Sequence, residues 1–179
     1  HATFEGVAHL LLVGHKPSAS ELQAFSAELI RERAIGKEVL DYLRAAGPML
    51  SRGTAVPMDV LRTCVSILGN LDADSQDCSP EANLAKAKRL TAKIPTILGH
   101  MQNVIDGRDI VQPDPSLGHA ANLLWMMTGR KPTAEETHIM DVSLILYAEH
   151  DYNASTFTSR VIAGTLSDMH GAVTGAIAA

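Results

Sequence analysis

Residues 1–179 predict an all-α, multi-helix fold, and three observations carry that prediction. Apolar residues recur at the 3.6-residue helical spacing from end to end, whereas strict alternation over strand length is hard to find. Two Ser/Thr-x-x-Glu capping boxes mark helix starts.

The first helix is expected from about Phe4 to Val13, stopping at Gly14. Ser18 with Glu21 opens a second, placing Leu22, Phe25, Leu29 and Ile30 on one face. Val39, Leu40 and Leu43 continue in a short helix that Gly47-Pro48 should terminate. Pro57 suits the first helical position of the next helix, with Met58, Leu61, Val65 and Leu68 as its buried stripe up to Gly69-Asn70. After a polar loop, Ser79-Pro80-Glu81 reads as cap, first-turn proline and first-turn acid. The long helix that follows carries Leu84, Leu90, Ile94, Ile97, Met101 and Ile105, with a kink expected at Pro95. Gln112-Pro113-Asp114-Pro115 reads as a loop or linker, because each proline disfavours helix in the residue before it. Helix should resume from Ser116 through Ala121, Leu124 and Met127 to Gly129. Thr133 and Glu136 cap the next, which leads through Ile139, Val142 and Leu146 to Tyr147-Ala-Glu-His150. A turn at Asp151-Tyr152-Asn153 precedes two further helices over 155–163 and 167–179.

Composition narrows the function. The chain is 46% hydrophobic and 20% charged with a mean hydropathy near zero, as in an ordinary globular protein. A net charge of -5, with no Lys/Arg cluster, argues against nucleic acid as a partner. Apolar runs such as 7–13 are broken by His9 and Gly14 well short of a membrane span. Cys64 and Cys78 form no CxxC motif and read as one buried thiol and one loop thiol. His1 runs into helical periodicity without an initiator Met or leader, and 173–179 stops inside an apolar pattern without a cap, so this is expected to be an internal stretch.

Few residues advertise chemistry. None of the eight histidines pairs with another or with a cysteine at metal-site spacing, which gives a metal role little support. Asp72-Ala-Asp74-Ser-Gln-Asp77 lacks the glycine and closing glutamate of a calcium loop and reads as a solvated turn. Nucleophile-elbow, phosphate-loop and dinucleotide motifs are absent. Arg62 could hold a carboxylate, but an interhelical ion pair is the plainer reading. Glu149-His150-Asp151-Tyr152-Asn153 stands out because a histidine and an amide sit where a long apolar helix ends. Composition alone favours a structural histidine capping that helix.

Four blocks shift that balance. Tyr147-Ala-Glu-His-Asp-Tyr-Asn-Ala-Ser-Thr-Phe-Thr-Ser-Arg160, with its continuation to Met169, closely resembles a stretch of the citrate synthase family, nearest its bacterial 2-methylcitrate synthase branch. So do Thr3-Phe-Glu-Gly-Val-Ala-His-Leu-Leu11, Pro57-Met-Asp-Val-Leu-Arg-Thr63 and Ser116-Leu-Gly-His-Ala-Ala-Asn-Leu-Leu-Trp-Met-Met-Thr-Gly129, in the family's order. The resemblance implies a helical, cytoplasmic homodimer with a large and a small domain, residues 1–179 being part of the large one. It also implies condensation of oxaloacetate with propionyl-CoA or acetyl-CoA, the coenzyme A thioester being a co-substrate, with no covalently bound cofactor and no metal, nucleic-acid or membrane partner. His150 is then implied to hydrogen-bond oxaloacetate, and Asn153 to contact the substrate beside it. A donor at the ketone oxygen stabilises the negative charge that develops as the carbon–carbon bond forms.

The departures matter too. The family's His-Gly-Gly-Ala-Asn motif and its basic aspartate do not occur in residues 1–179, so no residue here is expected to abstract a proton, and the segment alone is expected not to turn over. Val56 stands where relatives often have histidine, and His170-Gly171 where Tyr-Ser is common. Gly171, Gly175 and Ala179 form a small-residue row suited either to an intrachain contact or, as the resemblance suggests, to a dimer seam. Two other readings stay open: a citrate-synthase-like module of the ATP-citrate lyase kind, and a non-catalytic helical piece that only binds oxaloacetate or dimerises.

Overall fold

The computed structural model describes residues 2–179; His1 lies outside them. Among the described residues there are nine helices and no strand: α1 Phe4–Val13, α2 Ala19–Glu32, α3 Lys37–Ser51, α4 Pro57–Leu71, α5 Pro80–Ile105, α6 His119–Thr128, α7 Ala134–Ala148, α8 Ala154–Gly164 and α9 Met169–Ala178. Both capping boxes form, with Ser18 accepting from the Glu21 N–H and Thr133 from the Glu136 N–H. Gly14 and Gly129 end α1 and α6 in the left-handed region, at φ 92° and 71°, which glycine reaches without a Cβ penalty.

The 26-residue α5 is the hub, packing against α2, α3, α4 and α6. The main core joins Val39, Leu43 and Leu50 of α3, Leu61, Val65 and Leu68 of α4, and Leu90, Ile97 and Met101 of α5, with Met169, Val173 and Ile177 of α9 against it. A smaller cluster of Ala8, Phe25, Leu29 and Ala92 ties α1 and α2 to α5. α9 lies on α4, and α8 lies on α9. α7 packs on α6 and α1.

Several expectations need correcting. Gly47-Pro48 does not end α3, which continues to Ser51. Gly47 is buried against Val104 of α5 and Leu50 belongs to the core, so packing outweighs the hydrogen bond that Pro48 cannot make. α5 is one continuous helix that contains Pro95, as the sequence pattern predicts. Helix α6 begins at His119, not Ser116, because the Ser116 N–H and hydroxyl both donate to Asp114 Oδ1 in a turn. Its buried face is Leu123 and Met126, one register away from Leu124 and Met127. Met58, at the start of α4, is exposed.

The proline loop is no free linker. Asn103, wholly buried, donates to the Met126 carbonyl at 2.9 Å and accepts from the Val111 N–H at 2.8 Å. Asn122 accepts from the Asp114 N–H at 2.8 Å, and Arg33 donates to the Asp114 carbonyl. Gly118, the N-cap of α6, has no side chain to offer, and Glu5 of α1 accepts the His119 N–H in its place.

The carboxylate-rich turn also departs from a purely solvated one. Lys86, with no exposed surface, donates to the carbonyls of Asp74, Ser75 and Asp77, and Arg89 grips Asp72 through two bonds of 3.0 and 2.9 Å. Cys64 is buried and Cys78 exposed, as expected, and burial pushes the Cys64 thiol up to about 12. Arg62 pairs with Asp59 at 3.1 Å within its own helix, not across helices.

Candidate functional site

Helix α7 ends at Ala148, and Glu149 turns the chain into extended backbone. Asp151 then adopts φ 71°, a left-handed conformation uncommon outside glycine and associated with functional turns. The turn is held by the Asp151 N–H on Glu149 Oε1 at 2.7 Å and the Asn153 N–H on the Asp151 carbonyl at 3.1 Å. Asn153 is the N-cap of α8, whose first residue, Ala154, lies one position before the expected helix start. Its Oδ1 accepts from the Thr156 N–H at 2.7 Å, while its Nδ2 lies 2.9 Å from His150 Nε2. The two residues singled out in the sequence are therefore in direct contact.

The Tyr147 ring stands edge-on to the His150 imidazole, their centroids 6.3 Å apart. His150 and Asn153 line a polar cavity of about 330 Å³ with Tyr147, Glu149, Asp151, Tyr152 and Thr156. Tyr152 and Asn153 also border a second, more apolar cavity of about 560 Å³, formed with Ala154, Phe157, Arg160 and Val161. The Arg160 guanidinium sits 5.9 Å from the Tyr152 ring centroid, a cation–π distance. Sequence spacing alone places Arg160 two turns along the helix capped by Asn153, on the same face.

Around the site, α7 and α8 bury no residue fully. Leu146 of α7 is 68% exposed and Phe157 of α8 69%, so these helices present apolar side chains outward, and Leu166 in the turn after α8 is 86% exposed. The small-residue row of α9 behaves differently at its centre. A Cβ on Gly175 would lie 2.1 Å from Ile162 of α8, so this glycine serves an intrachain contact.

Beside the buried His9, three further histidines lie deep in the fold: His100, His119 and His170. Burial pushes all three below the usual imidazole value, His119 to about 4 with help from Arg33. His170 packs over Gly69 of α4, its Nε2 3.5 Å from Asp72 and its Nδ1 3.7 Å from Asp168. Among the described residues no cluster of three His, Cys, Asp or Glu side chains could hold a metal, and no helix is long and apolar enough to cross a membrane.

Comparison with known proteins gives a consistent picture. The profile of the family "Citrate synthase, C-terminal domain" matches residues 1–179. The chain is 41% identical to citrate synthase of Deinococcus radiodurans over 178 residues, 99% of this chain and 46% of that protein. It is 44% identical to 2-methylcitrate synthase of Shewanella oneidensis over 183 residues, 99% of this chain and 45% of that protein. It superposes on the crystal structure of Pyrobaculum aerophilum citrate synthase with a TM-score of 0.92 at 34% identity, covering 99% of this chain and 45% of that one. Thermoplasma acidophilum citrate synthase, solved as a ternary complex with carboxymethyl coenzyme A and oxaloacetate, matches with a TM-score of 0.86 at 25% identity, covering the same shares. The chain spans slightly under half the length of the curated relatives it matches.

Proposed function

The chain belongs to the citrate synthase family, and from that premise we propose that the intact protein condenses oxaloacetate with a coenzyme A thioester. Propionyl-CoA would give 2-methylcitrate and acetyl-CoA citrate. A proton leaves the carbon next to the thioester, that carbon bonds to the ketone carbon of oxaloacetate, and the ketone oxygen takes up a proton. Water then cleaves the thioester and releases coenzyme A. The observation carrying this reading on the chain itself is the His150–Asn153 pair at the break between α7 and α8, lining a polar cavity. His150 is the donor to an oxaloacetate oxygen, and Asn153 completes that wall of the site. An imidazole N–H already fixed where charge develops lowers the barrier without reorganising. Removal of the thioester α-proton falls to groups outside residues 1–179, which form part of the large helical domain.

Relatives of both substrate types match over nearly the whole chain, at 41% and 44% identity, and one methylene changes discrimination by only about 1–3 kcal/mol, so both thioesters belong in the test. Thiol release by the intact protein, with and without oxaloacetate, is the measurement. Release should require oxaloacetate, and His150→Gln should lower kcat/KM about 100-fold, the loss typical of one such donor. Absence of oxaloacetate-dependent release with either thioester would overturn the enzymatic reading and leave oxaloacetate binding alone. The outward apolar side chains of α7 and α8 support a homodimer. Sedimentation at the monomer mass would contradict that assembly.

A further inference from the structure

We propose that Asn153 is a positioning residue that sets the tautomer of His150, leaving Nδ1–H as the imidazole donor for a ligand in the neighbouring cavity. The inference rests on the reading of His150 as the oxaloacetate donor, and it adds which ring nitrogen donates and what decides it.

The Thr156 N–H lies in the first turn of α8, where no intrahelical carbonyl is available to it, and it can only donate. The side-chain atom of Asn153 that meets it at 2.7 Å is therefore the amide oxygen. Amide oxygen and nitrogen are ordinarily hard to tell apart, but here the cap fixes the orientation. The other end of the amide must then be the NH2 group, and it faces His150 Nε2 at 2.9 Å. NH2 has hydrogens and no free lone pair, so Nε2 must accept. An accepting ring nitrogen carries no hydrogen, and the neutral imidazole therefore holds its proton on Nδ1. No described residue takes up Nδ1, and His150 lines the polar cavity. The second NH2 hydrogen of Asn153 remains free for the same ligand.

Local sequence makes this arrangement possible. The left-handed Asp151 folds the turn so that residue 150 meets the side chain of residue 153. Helix α8 needs a cap at the residue that must also address the histidine. Serine, threonine and aspartate would each cap α8, but asparagine alone among the strong caps offers an acceptor at one end and NH2 hydrogens at the other. With the opposite tautomer, Nδ1 would turn a lone pair towards an oxygen that needs a hydrogen.

The test uses the intact protein labelled with 15N-histidine, the His150 signals being assigned by their loss in His150→Gln. In the wild type, Nε2 should resonate as an unprotonated, pyridine-like nitrogen and Nδ1 as a pyrrole-like one. Asn153→Asp keeps an oxygen on the Thr156 N–H but presents an acceptor to Nε2, so the two signals should exchange character and the KM for oxaloacetate should rise at least tenfold. Asn153→Ser keeps the cap and adds no charge. It should give a mixture of tautomers and an intermediate KM, separating the lost NH2 from the added charge. A protonated Nε2 in the wild type, or an unchanged tautomer in Asn153→Asp, would overturn the proposal. If the tautomers behave as stated but His150→Gln binds oxaloacetate like the wild type, the tautomer assignment stands and the substrate role of His150 falls.

Discussion

His119 gives the protein a specific weakness in acid. Its imidazole is the first residue of α6, 5% exposed, with its ring centroid 4.5 Å from that of Phe4. Burial, reinforced by the Arg33 guanidinium and opposed by Asp141, brings it from 6.5 to about 4. A histidine held below its unfolded value is neutral in the fold at neutral pH, so it costs nothing above 6.5. As pH falls from 6.5 towards 4 the unfolded chain takes up the proton first, and stability is lost across that window. At about 1.4 kcal/mol per pH unit the full loss is about 3 kcal/mol, of which about 2 kcal/mol has gone by pH 5. Urea unfolding at pH 7.5, 6 and 5 should show the wild type losing about 2 kcal/mol more than His119→Gln, which has no proton to gain. His100 and His170 are shifted the same way and lower both proteins alike, so the difference isolates His119. Parallel curves for the two proteins across this range would refute the argument.

Two further substitutions probe the scaffold. A Cβ on Gly99 would lie 2.5 Å from Met126 Cβ, an atom tied to the backbone of α6, so Gly99→Ala should force α5 and α6 apart. Overpacking outweighs the roughly 1 kcal/mol that alanine gains in a helix, leaving a net loss of about 1–2 kcal/mol; a raised Tm would contradict this. Lys86→Met keeps much of the apolar stem but removes the ammonium from three loop carbonyls. It should cost about 3 kcal/mol in chemical unfolding, since each charge-assisted bond is worth about 1.5–3 kcal/mol and the lost desolvation penalty offsets part of it. Hydrogen exchange of amides in 72–78 should accelerate, and a stability within 1 kcal/mol of the wild type would sink the assignment.

Local signals were readable wherever a few neighbouring residues decide the outcome. Ser18/Glu21, Thr133/Glu136, Pro57 and Ser79-Pro80 each start a helix at or within a residue of the expected place, because a cap or first-turn proline acts over three or four positions. Gly47-Pro48 misled because α5 supplies contacts that no local pattern contains. Partners distant in sequence were equally invisible: Glu5 at the start of α6 and Lys93 on the Glu32 and Ala34 carbonyls. At the site, the break after α7 and the residues His150 and Asn153 were legible as a motif. Their mutual hydrogen bond was not, since it depends on the positive φ of an ordinary aspartate at 151, which sequence does not announce.

The loop that resembled an incomplete cation site has a cation after all, and it arrives on the chain. Three carbonyls converge on Lys86 much as they would on a bound ion, but this charge is tethered by its own side chain at an effective concentration no free ion matches. A loop ordered by an exchangeable ion reports the ionic composition around it and collapses in a chelator. This one takes its shape when the chain folds and keeps it whatever ions are present, so the ends of α4 and α5 that it joins are held at a constant spacing.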